Sequence, residues 1–308
     1  MANVFTAQAF AGEKAKQFGN AVTVHEHNAH KMPLFTDEGL EALLDRYPRE
    51  DIGVYAMGDT PDTWRRGRLG NANPSDLISM VKEGRVWLNL RAANTKDNEV
   101  GDLAGSILSE MRAAMPSFRP IKPDLGLIIS SPNARVFYHL DVARVMLFHV
   151  RGNKRIYVYP RTEEFVRAKD LEGVVTHETE EEIPYKPDFD AGAQIIDLQP
   201  GQMVSWAQNA PHKVENADDM NVSLSFEYMT PVAIARANAV YANAWLRKAF
   251  KYNANLEPKP TVLWPAKVAL ARVLKKLAPI DKDTPSVFPH CFTLNKSGPV
   301  FDSEKFAI

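Results

Sequence analysis

The chain has 308 residues, 45% hydrophobic and 24% charged, with a formal net charge of −1 at pH 7 and a pI near 6.7. That balance describes a soluble globular protein with enough residues for one large or two modest cores, and it gives no support for a nucleic-acid partner. A single cysteine, Cys291, excludes an internal disulfide; no stretch approaches a membrane span, and no basic segment leads into an apolar one at the N-terminus, so a cytoplasmic location is the default expectation.

Residues 1–24 are weakly patterned and predict an edge strand or arm. His25, His27 and His30 follow in a short polar segment; His25 and His27 have strand spacing for a metal, but the segment reads as a solvated loop. Residues 35–45 predict a helix capped by Thr36 or Asp37, with Leu40, Leu43 and Leu44 as its buried stripe. Val54 to Ala56 and Val86 to Leu88 read as short strands, and 76–82 and 100–114 as helices, the second with Leu103, Ile107, Leu108 and Met111 at helical spacing.

The central part alternates like antiparallel sheet. Residues 142–150 read as a strand, Arg151-Gly152-Asn153 as a tight turn, and 154–160 as a strand running back, together a hairpin. Alternation puts Val145, Leu147 and His149 on one face, and Lys154, Ile156 and Val158 on one face. Strands at 193–198, 203–206 and 221–228, with a loop bearing Pro211-His212 between the last two, follow meander logic, and the sheet is expected to curl into a barrel or jelly roll. After Pro231 the texture becomes helical, at 234–250 and 266–277, around a Pro258-Lys259-Pro260 linker. The expected organisation is a helical or mixed region over 1–83, a β-barrel over 84–230 and a helical region over 231–308. Both C-terminal helices carry apolar stripes (Tyr241 and Trp245; Leu270, Val273, Leu274 and Leu277), and a second copy of the chain is one way to cover them, giving a possible homodimer.

The chemistry concentrates at His139-Leu140-Asp141. A histidine and a carboxylate two apart on a strand point to the same face, and with a distant histidine they supply the facial triad of non-haem Fe(II) oxygenases. With 8 His and 38 Asp plus Glu, about one such His-x-acid pair arises by chance, so the pair alone is equally a solvent-exposed strand pair. Context adds weight. His212 follows in the loop between two later strands, and Lys154 lies in phase with core aliphatics, where burial is costly without an anion. The competing reading of Lys154 is the exposed flank of a turn; that of His149 is a hydrogen-bonded core residue.

These residues resemble the cupin superfamily, specifically its JmjC-like Fe(II)- and 2-oxoglutarate-dependent oxygenases. The second cupin motif has a glycine eleven residues before its metal histidine and an asparagine four after; Gly201, His212 and Asn216 keep both spacings, while the motif's internal Pro and second Gly are Ala207 and Asn209. In the asparaginyl-hydroxylase branch a lysine fifteen residues beyond the first metal histidine binds 2-oxoglutarate, and Lys154 stands fifteen beyond His139. The resemblance implies a double-stranded β-helix core with flanking helices, Fe(II) at His139, Asp141 and His212, 2-oxoglutarate at Lys154, and O2-dependent hydroxylation of a peptide or small molecule. Trp87 falls where that branch has a cosubstrate-binding tyrosine, and Asn89 shares its strand face. Two helper positions fall on Val136 and Val145. His149, Ser223 and Ser225 are pocket candidates by alternation. The alternatives are a metal-cupin enzyme that does not use 2-oxoglutarate and an inert JmjC-like binding or regulatory module.

Overall fold

A computed structural model describes residues 3–56, 63–84, 86–256, 264–277 and 290–303; the expected 258–260 linker lies outside them. In chain order the elements are α1 (Glu13–Gln17), β1 (Thr23–Glu26), α2 (Asp37–Arg46), β2 (Ile52–Ala56), β3 (Arg65–Leu69), α3 (Pro74–Lys82), β4 (Trp87–Leu90), α4 (Ala93–Lys96) and α5 (Asn98–Ala114). Then come β5 (Ile121–Ser130), β6 (Arg135–His139), β7 (Arg144–Arg151), β8 (Lys154–Val158), α6 (Ala168–Thr176), β9 (Gln194–Leu198), β10 (Gln202–Ser205), β11 (His212–Asn216) and β12 (Asn221–Met229). Helices α7 (Pro231–Phe250) and α8 (Trp264–Leu277) and strands β13 (His290–Asn295) and β14 (Gly298–Phe301) complete the chain.

Two sheets face each other. The larger runs β1-β10-β7-β12-β5-β4-β2-β3-β13-β14 and the smaller β6-β11-β8-β9. Their inner faces share an apolar filling of Val145, Leu147, Val204 and Trp206 from one side and Ile156, Val158, Leu198 and Val214 from the other. Helices α2, α3 and α5 cover the outer face of the larger sheet, with Leu40, Leu77 and Ile107 against Leu127, Phe148 and Phe226, all essentially inaccessible. Burial of this kind is the main stabilising term of the fold, at about 25 cal/mol per Å² of apolar surface. The helix starts are chemically specified: Thr36, Asn73, Asp97 and Thr230 each accept a backbone N–H of the first turn, and Asn73 forms a full capping box with Asp76.

The expected face alternation holds, but the expected pairings do not. Strands β7 and β8 are not a hairpin, because β7 pairs with β10 and β12 in the larger sheet and β8 with β11 and β9 in the smaller. Nor do residues 193–228 form a meander: β9 and β11 lie in one sheet, β10 and β12 in the other. The turns at 151–153 and 199–201 carry the chain across the barrel's edge, so consecutive strands keep their apolar faces inward while exchanging neighbours. Further strands join from beyond 84–230: β1 at one edge of the larger sheet and β2, β3, β13 and β14 at the other, the last two in a stretch expected to be helical. Phe292 and Leu294 alternate inward there, and the turn at Lys296-Ser297-Gly298 closes a hairpin.

The histidines near the N-terminus are not in a solvated loop. His25 lies on β1 with no exposed surface and donates from Nδ1 to Ala9 O at 2.7 Å; His27 is buried too and donates to Gln202 O at 3.1 Å. The stripes of α7 and α8 are largely covered within the chain, where Tyr241, Trp245, Leu270 and Leu274 cluster with Leu171 and Val174 of α6. Phe250, Val273 and Leu277 stay exposed. No described helix is long and apolar enough to cross a membrane.

Gly152 turns β7 into β8 at φ 79, and a Cβ there would lie 2.7 Å from Met220 O. Gly152→Ala should therefore cost about 1–3 kcal/mol or more in urea unfolding; an unchanged midpoint would show that the turn relaxes freely.

Candidate metal centre

Strand register builds the site. In the β6–β11 pair His212 stands directly opposite His139, and the two rings lie 4.1 Å apart. Asp141 follows β6 by two residues and brings Oδ2 to 3.3 Å from His212 Nε2. One ligand atom from each of His139, Asp141 and His212 falls within 4.8 Å of the others, the only such group found among the described residues. The outer nitrogens fix the tautomers: His139 Nδ1 donates to Phe137 O at 2.7 Å and His212 Nδ1 to Ala210 O at 3.1 Å. Both Nε2 atoms are thereby left as lone-pair donors, the arrangement expected of metal-bound histidine. Burial, and then the neighbouring His139, push His212 down to about 4, so its imidazole is neutral at pH 7. The donor set fits a first-row divalent metal with open positions, such as Fe(II).

The triad lies in a cavity of about 320 Å³ that is also lined by Lys154, Trp87, Asn89 and Ser225. The structure thus gathers seven of the nine residues singled out from sequence and leaves out His149 and Ser223. Those two pair with each other behind the cavity wall. For His149 the arrangement is explicit: the residue is completely buried and does not line the cavity; its Nε2 donates to Gly152 O at 2.8 Å and its Nδ1 pairs with Ser223 Oγ at 3.1 Å, so it is a satisfied core residue. Val136 and Val145 line the cavity without polar atoms to offer.

Lys154 is 7% exposed, and among the described residues its Nζ makes neither a hydrogen bond nor an ion pair. Burial alone pushes it down to about 8. Trp87 Nε1 is a second buried donor without an acceptor. Two buried donors without protein acceptors on residues that line one cavity fit an anionic ligand.

Other wall residues were not anticipated. Residues 181–183 run alongside β6, with Leu140 N donating to Glu181 O at 3.1 Å and a bridge between His139 and Glu182. Glu181 and Glu227 are both pushed up to about 7, by desolvation first and by the charge of Asp141 second. Glu227 was findable, because it follows Ser223 and Ser225 in the same alternation. Glu181 was not, since nothing in the run Glu180-Glu181-Glu182 distinguishes a cavity wall from a solvated acidic loop. Tyr55, Trp64 and Trp87 stack on another wall, with ring centroids 4.6 to 5.5 Å apart.

No protein-family model matches the sequence, and no curated protein matches it. Solved structures do. The X-ray structure of ycfD from Escherichia coli has a TM-score of 0.51 at 15% identity, over 91% of this chain and 70% of that one. A crystal structure of the Escherichia coli ribosomal oxygenase YcfD gives 0.49 at 14% identity, over 89% and 67%. One of YcfD in complex with cobalt and 2-oxoglutarate gives 0.46 at 14%, over 85% and 65%. The chain thus spans roughly two thirds of those chains. At such identity the first likeness shows a shared fold, the jelly roll with flanking helices expected from the sequence.

The unpaired lysine has a measurable signature. Its charge is disfavoured in the folded state, so the unfolded chain holds the proton more tightly between about pH 8 and the ordinary lysine value of 10.5. Stability of the ligand-free protein should therefore rise with pH through that window. Lys154→Met should abolish the rise and stabilise the ligand-free protein at pH 7 by about 1–3 kcal/mol. Urea unfolding at pH 7 and pH 10 tests this, and a destabilised Lys154→Met would show that the cation is already compensated.

Proposed function

We propose that the protein is an Fe(II)- and 2-oxoglutarate-dependent oxygenase that hydroxylates a C–H bond of a peptide or small molecule. The observation that carries the reading is the sharing of one cavity by the histidine–aspartate–histidine triad and a buried lysine that has no ion-pair partner among the described residues. His139, Asp141 and His212 would hold the metal by two imidazole Nε2 atoms and a carboxylate. Lys154 would pair with the far carboxylate of 2-oxoglutarate, with Trp87 Nε1, Asn89 and Ser225 as further donors. When bound, iron supplies O2 activation coupled to oxidative decarboxylation of 2-oxoglutarate to succinate and CO2. The chain excludes water with Val145, Leu147 and Trp206, whose ring lies 4.6 Å from His212, and leaves the side bearing Glu227 and the aromatic stack for substrate. We infer a reducing compartment such as the cytoplasm, which suits a ferrous site.

Anaerobic titration with Fe(II) or Co(II) should show one site per chain, lost in His212→Ala with the fold retained. Lys154→Ala should keep the metal and weaken 2-oxoglutarate binding by about 2 to 4 kcal/mol, read as a raised KM for succinate formation. Full metal occupancy in His212→Ala would remove the assignment. Product formation without succinate would instead favour a metal-cupin oxygenase that needs no cosubstrate, and absence of metal binding would favour an inert module.

For assembly we propose a homodimer through Phe250, Val273 and Leu277, which are 70%, 50% and 79% exposed. Light scattering at micromolar concentration should give twice the chain mass, and a monomer would overturn this.

A further inference from the structure

Asp141 lies beyond the end of β6, outside any ladder, so sheet pairing does not set the orientation of its backbone. Its carbonyl is nevertheless held. Asn209, in the loop that delivers His212, donates from Nδ2 to Asp141 O at 2.7 Å. The same amide accepts, through Oδ1, a hydrogen bond of 3.0 Å from Nε of Arg236 on α7. A carbonyl can only accept and a guanidinium can only donate, so this amide has one possible orientation. Asn209 is 3% exposed and Arg236 7%. Arg236 is anchored in turn, its Nη2 donating to Leu256 O at 3.3 Å. Beside it, Gln208 Nε2 donates to Val142 O at 2.9 Å and to Ala233 O at 3.3 Å, a parallel stitch between the same three segments.

Asn209 occupies the left-handed region, at φ 60. Glycine adopts that backbone freely, and asparagine is among the few side chains that tolerate it. What asparagine adds is the amide, and both ends of the amide are used.

We propose that Arg236 and Asn209 are positioning residues that set the placement of Asp141 at the metal, so that helix α7 helps determine metal affinity from outside the barrel. The inference rests on the metal-binding reading above. The buried cation polarises the Asn209 amide and strengthens its bond to Asp141. Outer contacts that orient a metal ligand typically govern about 10- to 100-fold in metal affinity.

Co(II) titration of the full chain, followed by visible absorption and calorimetry, tests this without turnover. Asn209→Gly keeps the left-handed backbone and removes only the amide; its Co(II) Kd should rise about 10-fold or more, with a changed Co(II) absorption band. Arg236→Met should shift both in the same direction, and Arg236→Lys, which restores a donor, should recover most of the affinity. Leu40→Ala, a buried site on α2 in the separate core on the outer face of the larger sheet, should lower Tm and leave Co(II) affinity and spectrum as in the wild type. A wild-type Kd and spectrum in Asn209→Gly would overturn the proposal whether or not Arg236→Met folds. A wild-type protein that takes up no Co(II) would overturn the metal reading and this inference with it, which separates the two failures.

Discussion

A buried lysine ammonium that pairs with no carboxylate among the described residues is the constraint around which the inner half of this molecule is arranged. Burying such a charge is unfavourable unless something compensates it. Here Lys154 opens β8 at a position whose inward phase is fixed by Ile156 and Val158, both buried in the same filling. Turning it outward would require a one-residue slip that exposes those two side chains. The fold therefore holds the cation in place by the cost of releasing its neighbours, in the same cavity as the candidate metal ligands.

The candidate metal ligands are subject to a similar constraint. His139 and His212 meet because β6 and β11 pair in one register, and β11 is held on its other edge by five residue pairs with β8. The strand that carries the lysine thus also braces the strand that carries a histidine. Asp141 lacks such bracing and depends on side-chain contacts from the next loop and from α7. Two ligands are set by the sheet and the third by a relay, so the third is the natural place for the helical part of the chain to influence the site.

Much of this was legible in the sequence, and the reason is periodicity. Residues two apart share a face whatever strand lies alongside, so His139 with Asp141 and Lys154 with Ile156 could be read without knowing the topology. Strand partnership was not legible in the same way. A tight turn at Gly152 signals reversal, but reversal within one sheet and reversal across a barrel edge leave the same pattern of apolar residues. The buried His25 and His27 were missed for a related reason, since their environment comes from Ala9, Phe10 and Gln202 rather than from neighbours in sequence. The contact between Asn209 and Arg236 spans 27 positions and links a loop to a helix, a relation with no period to betray it.

The pairing of β13 with β3 bears on how the molecule is made. The two strands run parallel, and Asn71 beside one bonds to Asn295 beside the other across 224 positions of chain. Parallel strands brought together over such a separation close a very large loop before any contact rewards it, which slows folding. During synthesis β3 must wait, its edge unpaired, until the C-terminal hairpin has left the ribosome. Arg65, Arg66 and Arg68 lie along that waiting edge, and their mutual repulsion would discourage the exposed strand from pairing with other nascent chains in the interval.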